Sequence, residues 1–336
     1  VTILLGGGFL LGLIVLYVMI KFSPIVTRNF QRPPLFQPLM LDHEPGGEEV
    51  RFQTGDGVEL AGTYFRARRS PRQGVVVFCH EFLSDRWSFQ PYAIPLLEAG
   101  YDVFTFDFRN HGDSAVVADY QPLQWVSDRE ASDLKAAVTY VMSRPDADPA
   151  GVLLFGISRG GSAALCVAAD DSRVRAVITD GAFPTRGTLR VYMSRWAEVY
   201  LPWRCVAHNL PWWLIDLVAW TSHHLSQNHL KRRFLNVERA VARLAPRPWL
   251  MIHGERDAYI TPEIARSLFA AATGPKDAYF VPNARHNRCL EAEPETYIRR
   301  VLQFLARGNG SAHALSLTAE PLRASSLRTK VAVPMA

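Results

Sequence analysis

The segment Gly156-Ile157-Ser158-Arg159-Gly160 constrains this chain more than any other. It follows Val152-Leu153-Leu154-Phe155, a short apolar run with the character of a buried strand. It precedes Ser162-Ala163-Ala164-Leu165-Cys166-Val167-Ala168-Ala169, a run of small, helix-compatible residues. A G-x-S-x-G pattern between a strand and a helix places the serine on a sharp turn with its hydroxyl exposed. Such a turn needs small neighbours, because its backbone is strained and the helix passes close to the strand. A helix starting at the serine also turns its free N–H groups toward developing negative charge. Read alone, the pattern is equally a Gly/Ser-rich turn without chemistry.

Two further segments favour chemistry. Pro248-Trp249-Leu250-Met251-Ile252-His253-Gly254 is an apolar strand running into a polar turn that carries Asp257. Ala278-Tyr279-Phe280-Val281 is a strand followed by a loop that carries His286. Serine, acid and histidine thus follow in that chain order, each after a predicted strand. Ser158 is the expected nucleophile and His286 the base that takes and returns its proton. Asp257 is expected to hold the imidazole tautomer and stabilise its cation.

With these residues the chain resembles the α/β-hydrolase superfamily over about residues 48–307, and is most similar to its membrane-anchored, serine-aminopeptidase-like or acyl-hydrolase branch. Val75-Val76-Val77-Phe78-Cys79-His80 resembles the core strand before the family's oxyanion turn. Asp107-Phe108-Arg109-Asn110-His111-Gly112-Asp113-Ser114 resembles its D-x-R-G-H-G-x-S loop. The resemblance implies a mostly parallel sheet with helices on both faces and a helical cap inserted at about residues 185–245. It implies an oxyanion hole formed by the backbone N–H groups of Phe82 and Arg159. It also makes Asp180, at the end of the preceding predicted strand, the competing acid. One departure stands out: Glu81 follows His80 where the family usually has glycine. A carboxylate there opposes an oxyanion unless it points away or pairs, and Arg86 or Arg159 is the expected partner.

The first twenty residues are apolar apart from Thr2 and the glycines, and Lys21 ends the run. That length suffices for a transmembrane helix, here residues 1–21. No A-x-A-like cleavage site follows, which argues against a removable signal peptide. Lys21, Arg28 and Arg32 place the following domain on the cytoplasmic side. Residues 22–47 are expected to form a linker, with Pro33-Pro34 and Gly46-Gly47 inside it, and residues 308–336 a disordered tail.

Residues 185–245 hold five of the eight Trp and nine Lys/Arg against three Asp/Glu. Leu189, Tyr192, Met193, Trp196, Val199 and Tyr200 recur at helical spacing, as in a packed cap helix or an interfacial one resting on anionic lipid. Either arrangement gives an apolar pocket suited to a small-molecule acyl substrate, including a lipid. The formal charge of +5 comes with no basic helix or base-reading motif, so nucleic acid is not an expected partner. No organic cofactor or metal is expected; His223, His224 and His229 lack a matching set of further ligands. The sequence leaves the oligomeric state open. The expected activity is cleavage of a carboxylic ester or thioester through an acyl-enzyme. A peptidase using the same residues, or a catalytically silent binding protein with Glu81 as its mark, are the alternatives.

Overall fold

The computed structural model describes residues 2–34, 37–201 and 204–308. The expected tail therefore lies outside the described residues, apart from Gly308. Helix α1 (Thr2–Phe30) leads into a hairpin of β1 (Glu48–Gln53) and β2 (Glu59–Phe65). Next come β3 (Gly74–Cys79), α2 (Gln90–Glu98), β4 (Tyr101–Phe106) and α3 (Asp128–Ser143). They are followed by β5 (Val152–Ile157), α4 (Arg159–Asp170) and β6 (Val174–Asp180). Between β6 and the next strand lie α5 (Thr185–Tyr200), α6 (Arg204–His208), α7 (Trp212–Leu230) and α8 (Val237–Ala242). The chain then forms β7 (Trp249–Gly254), α9 (Pro262–Ala270), β8 (Lys276–Val281), α10 (Cys289–Ala292) and α11 (Pro294–Gly308).

The strands form one sheet in the order β1-β2-β4-β3-β5-β6-β7-β8. β1 with β2 and β2 with β4 are antiparallel, and every other pair is parallel. The first two strands pair in the register Gln53 with Glu59. Their turn is closed by Thr54, whose hydroxyl donates to Asp56 and accepts from the Val58 N–H.

The central strands are buried on both faces, as a parallel sheet between helices requires. Side chains alternate across it: Val75, Val77 and Cys79 join Leu134, Val138, Leu165 and Met251 on one side. Val76 and Phe78 join Leu96, Phe155, Ile252 and Val301 on the other. All parallel strands present their C-terminal ends to one edge, the usual ligand crevice of such sheets.

α3 begins at Asp128. Ser127 accepts from the Arg129 N–H, and the Glu130 side chain returns to the Ser127 N–H at 2.8 Å. This capping box fixes the helix start.

α1 corrects the expected boundary between helix and linker. The helix does not stop at Lys21 but runs to Phe30. Ser23, Val26 and Phe30 are buried, spaced to share one helix face. That face packs on α7, where Ser222 donates to the Ser23 carbonyl at 3.2 Å and Gln31 donates to Ser226 at 3.2 Å. Tertiary packing thus carries the helix past the first charge, and Pro33-Pro34 follows soon after its end. These pairs also make α7 run parallel to α1. Phe9, Leu10, Leu11, Leu13, Ile14 and Leu16, earlier on α1, are exposed. From Gly7 to Phe30 the helix is long and apolar enough to cross a membrane.

Candidate active site

Ser158 stands between β5 and α4 with φ 51° and ψ −114°. Positive φ at a residue with a side chain is a strained conformation held by its surroundings. Two glycines make it possible. A Cβ at Gly160 would lie 2.2 Å from the Cys79 carbonyl oxygen, and one at Gly156 2.5 Å from the Gly161 nitrogen. The turn is further held by the Ser158 N–H, which donates to the Asp180 carbonyl at 2.7 Å.

The loops after β7 and β8 bring Asp257 and His286 to this serine. Ser158 Oγ lies 2.9 Å from His286 Nε2. His286 Nδ1 lies 2.5 Å from Asp257 Oδ2. Asp257 Oδ1 accepts from the N–H groups of Tyr259 and Ile260 at 2.9 and 2.8 Å, so the carboxylate is fixed at both oxygens. Asp180, the competing acid, instead accepts from the Tyr297 hydroxyl at 3.1 Å. Burial pushes its carboxyl up to about 6, against the opposing donors Cys289 and Tyr297.

The turn after β3 carries Phe82. His80 Nε2 accepts from the Phe108 N–H at 3.1 Å, which assigns the proton to Nδ1, 2.7 Å from the Glu81 carbonyl. The Glu81 carbonyl and the Phe82 N–H belong to one planar trans peptide and point in opposite directions. His80 therefore orients the Phe82 N–H. Burial, then His111 and Arg159, hold the His80 imidazole well below its usual range, so it is neutral. Sequence reasoning placed His80 in the strand but gave it no role.

Glu81 pairs with neither expected arginine. Arg86 is taken by Asp107 and Asp113, and Arg159 by Glu130 at 3.5 Å. The Glu81 carboxylate accepts from the Leu39 N–H at 3.2 Å and the Ser88 hydroxyl at 3.3 Å. Burial raises it to about 7. The arginines find carboxylates in the loop after β4 and in the first turn of α3, and Glu81 is left to hydroxyl and amide donors.

Arg159 contributes more than its backbone. Its guanidinium donates to the Leu123 carbonyl at 3.1 Å and to His111 Nε2 at 3.1 Å. Against the upward push of burial, Arg159 and the Ser127 and Tyr120 donors hold the Glu130 carboxyl below its ordinary range. Burial and then Arg159 lower His111 to about 3. The start of α4 is thus tied to the cap of α3 by a buried polar network. Being first in its helix, Arg159 has no intrahelical acceptor for its own N–H.

A cavity of about 50 Å³ opens beside Ser158 and His286. Trp125, Phe183, Tyr192 and Ile260 make it largely apolar, and Pro34 contributes from the segment after α1. His223, one of the three histidines whose spacing did not support a metal, packs on Phe30 and Phe234.

Comparison with known proteins agrees with this architecture. The family model described as alpha/beta hydrolase fold matches residues 74–230. The uncharacterized protein YfhR of Escherichia coli O157:H7 is 25% identical over 264 residues, covering 77% of this chain and 80% of that protein. The thiohydrolase aneE of Aspergillus aculeatus is 33% identical over 134 residues, covering 39% of this chain and 40% of that protein. Among solved structures, the Pyrococcus furiosus esterase Pf2001 aligns with TM-score 0.61 at 23% identity, covering 82% of this chain and 96% of that one. The sheet order, the serine turn after β5 and these similarities show that the chain has the α/β-hydrolase fold.

Proposed function

We propose that the protein is a membrane-anchored serine hydrolase that cleaves a carboxylic ester or thioester. The observation that carries this reading is the hydrogen-bonded series Ser158–His286–Asp257, at 2.9 and 2.5 Å, beside an apolar cavity. Ser158 Oγ attacks the acyl carbon while its proton passes to His286 Nε2. Asp257 stabilises the resulting imidazolium. The N–H groups of Phe82 and Arg159 receive the negative charge on the acyl oxygen. When the tetrahedral species collapses, the bond to the leaving oxygen or sulfur breaks and the His286 proton goes with it. Water then attacks the acyl-enzyme, giving its proton to His286, and the acid is released as Ser158 recovers that proton.

Thioesters enter the reading through the thiohydrolase similarity, which covers 39% of the chain. A lipophilic acyl substrate is favoured by the aromatic lining and by the apolar length of α1. Lys21, Arg28 and Arg32 follow the uncharged first twenty residues on the domain side, which favours a cytoplasmic domain.

The test is covalent labelling of the full chain in detergent by a fluorophosphonate, with p-nitrophenyl butyrate hydrolysis measured beside it. The expected result is labelling at Ser158, and loss in Ser158→Ala of both labelling and at least about a thousandfold of turnover. Covalent labelling that persists in the folded variant would reject the nucleophile.

A further inference from the structure

We propose that Pro34, which lines the acyl site, and Phe30, which backs its Trp125 wall, are specificity-determining residues at the domain end of the anchor that limit the chain length the site accepts. The inference rests on the serine-hydrolase reading and extends it to a part of the chain outside the α/β domain.

Three contacts carry it. Phe30 is fully buried and stacks on Trp125, with ring centroids 4.9 Å apart and planes 4° from parallel. Trp125 Nε1 donates to the Phe30 carbonyl at 2.9 Å, so ring and backbone are held together. Trp125 is itself a wall of the cavity that holds Ser158 and His286.

Beyond the helix, Pro34 lines that same cavity. Farther on, Leu39 is clamped at both backbone groups. Its N–H donates to Glu81 at 3.2 Å, and its carbonyl accepts from Ser84 Oγ at 2.6 Å. Glu81 and Ser84 flank the turn that carries Phe82. The chain leaving the membrane helix is thus fixed on one side of the cavity by Trp125 and on the other at the oxyanion turn, with Pro34 touching the cavity between them.

The size of the cavity gives this arrangement its meaning. About 50 Å³ is small beside the several hundred Å³ of ordinary ligand pockets. An apolar acyl chain longer than this cavity that runs toward the anchor meets Pro34 and the Trp125–Phe30 stack. A smaller residue at either position lengthens the accessible channel, and a larger one at position 34 shortens it.

The experiment measures kcat/KM of the full chain in detergent micelles for p-nitrophenyl laurate and p-nitrophenyl butyrate, and takes their ratio. Pro34→Gly and Phe30→Ala are expected to raise the laurate-to-butyrate ratio at least about fivefold, and Pro34→Trp to lower it by a similar factor. A residue that only supports folding would lower both rates together and leave the ratio unchanged. Phe30→Ala removes a core ring and can fail to fold, so the two Pro34 variants decide the question. Ratios within about twofold of wild type in both overturn the inference while the hydrolase reading stands. A folded wild-type chain inert to both esters and to a fluorophosphonate removes the hydrolase reading, and this inference with it.

Discussion

Glu81 carries the cost of an acid buried without a cation. Only 2% exposed, it has the Leu39 amide and the Ser88 hydroxyl as donors, and burial raises it to about 7 from an ordinary 4.5. An acid whose folded value is raised stays protonated in the native state after the unfolded chain has ionised. Its contribution to stability is therefore complete below about pH 4.5 and is lost as the pH climbs through about 7. Glu81→Gln keeps a group of similar shape that cannot ionise. Its stability relative to wild type should rise between pH 5 and pH 8, by at most about 3 kcal/mol. Denaturant midpoints at the two pH values measure this, and a difference that stays constant with pH would show that Glu81 is ionised and well solvated in the native state. The sequence announced the oddity of a carboxylate beside His80 but not its partner. Arg86, five residues on, and Arg159, beside the expected nucleophile, were the expected cations, yet Asp107, Asp113 and Glu130 reach them first in space.

At the scale of elements, what was legible followed local chemistry. The strands around Ser158, the hairpin of β1 and β2, and the loops carrying Asp257 and His286 could be read from apolar runs and turn residues. The start of α3 could have been read as well, because Ser127 and Glu130 stand at capping-box spacing. Ser127→Ala removes the acceptor for the Arg129 N–H and one of the donors to Glu130. It should lower stability by about 1 kcal/mol, seen as a fall in Tm, with the far-UV spectrum kept. No loss of Tm would mean that the buried Glu130–Arg159 network alone fixes the helix start. The last turns of α1 were not legible. Lys21 suggested that the helix ended there, and the value of Ser23, Val26 and Phe30 as one apolar face depends on α7, some two hundred residues away. For the same reason a chain starting near residue 45 would uncover the surface of α7 that Val26 and Phe30 occupy.

At the scale of the whole molecule, α1 and α7 make one unit. Their hydrogen bonds join residues 195 to 199 positions apart. In parallel helices that offset sets Trp212 and Trp213, at the start of α7, level with residues of α1 between about Leu13 and Val18. Trp212 is 72% exposed and Trp220 54% exposed, beside an equally exposed stretch of α1. If α1 spans a bilayer, the exposed start of α7 lies at the depth of the same apolar stretch. The protein should then stay with membranes through a high-salt wash, and proteins released by that wash should not include it. Release would mean that α1 is held by surface charge alone.

A rigid seat of this kind changes what concentration means for the enzyme. If α1 is seated in a bilayer, the pocket is held at a fixed height over one leaflet, and its encounters take place in a plane. Turnover of a lipid ester should follow the mole fraction of that ester among its neighbours in the surface, not the amount in the tube. Diluting the substrate with inert detergent at constant total substrate should slow the reaction in proportion. For such a catalyst, the composition of the surrounding leaflet acts as the dose.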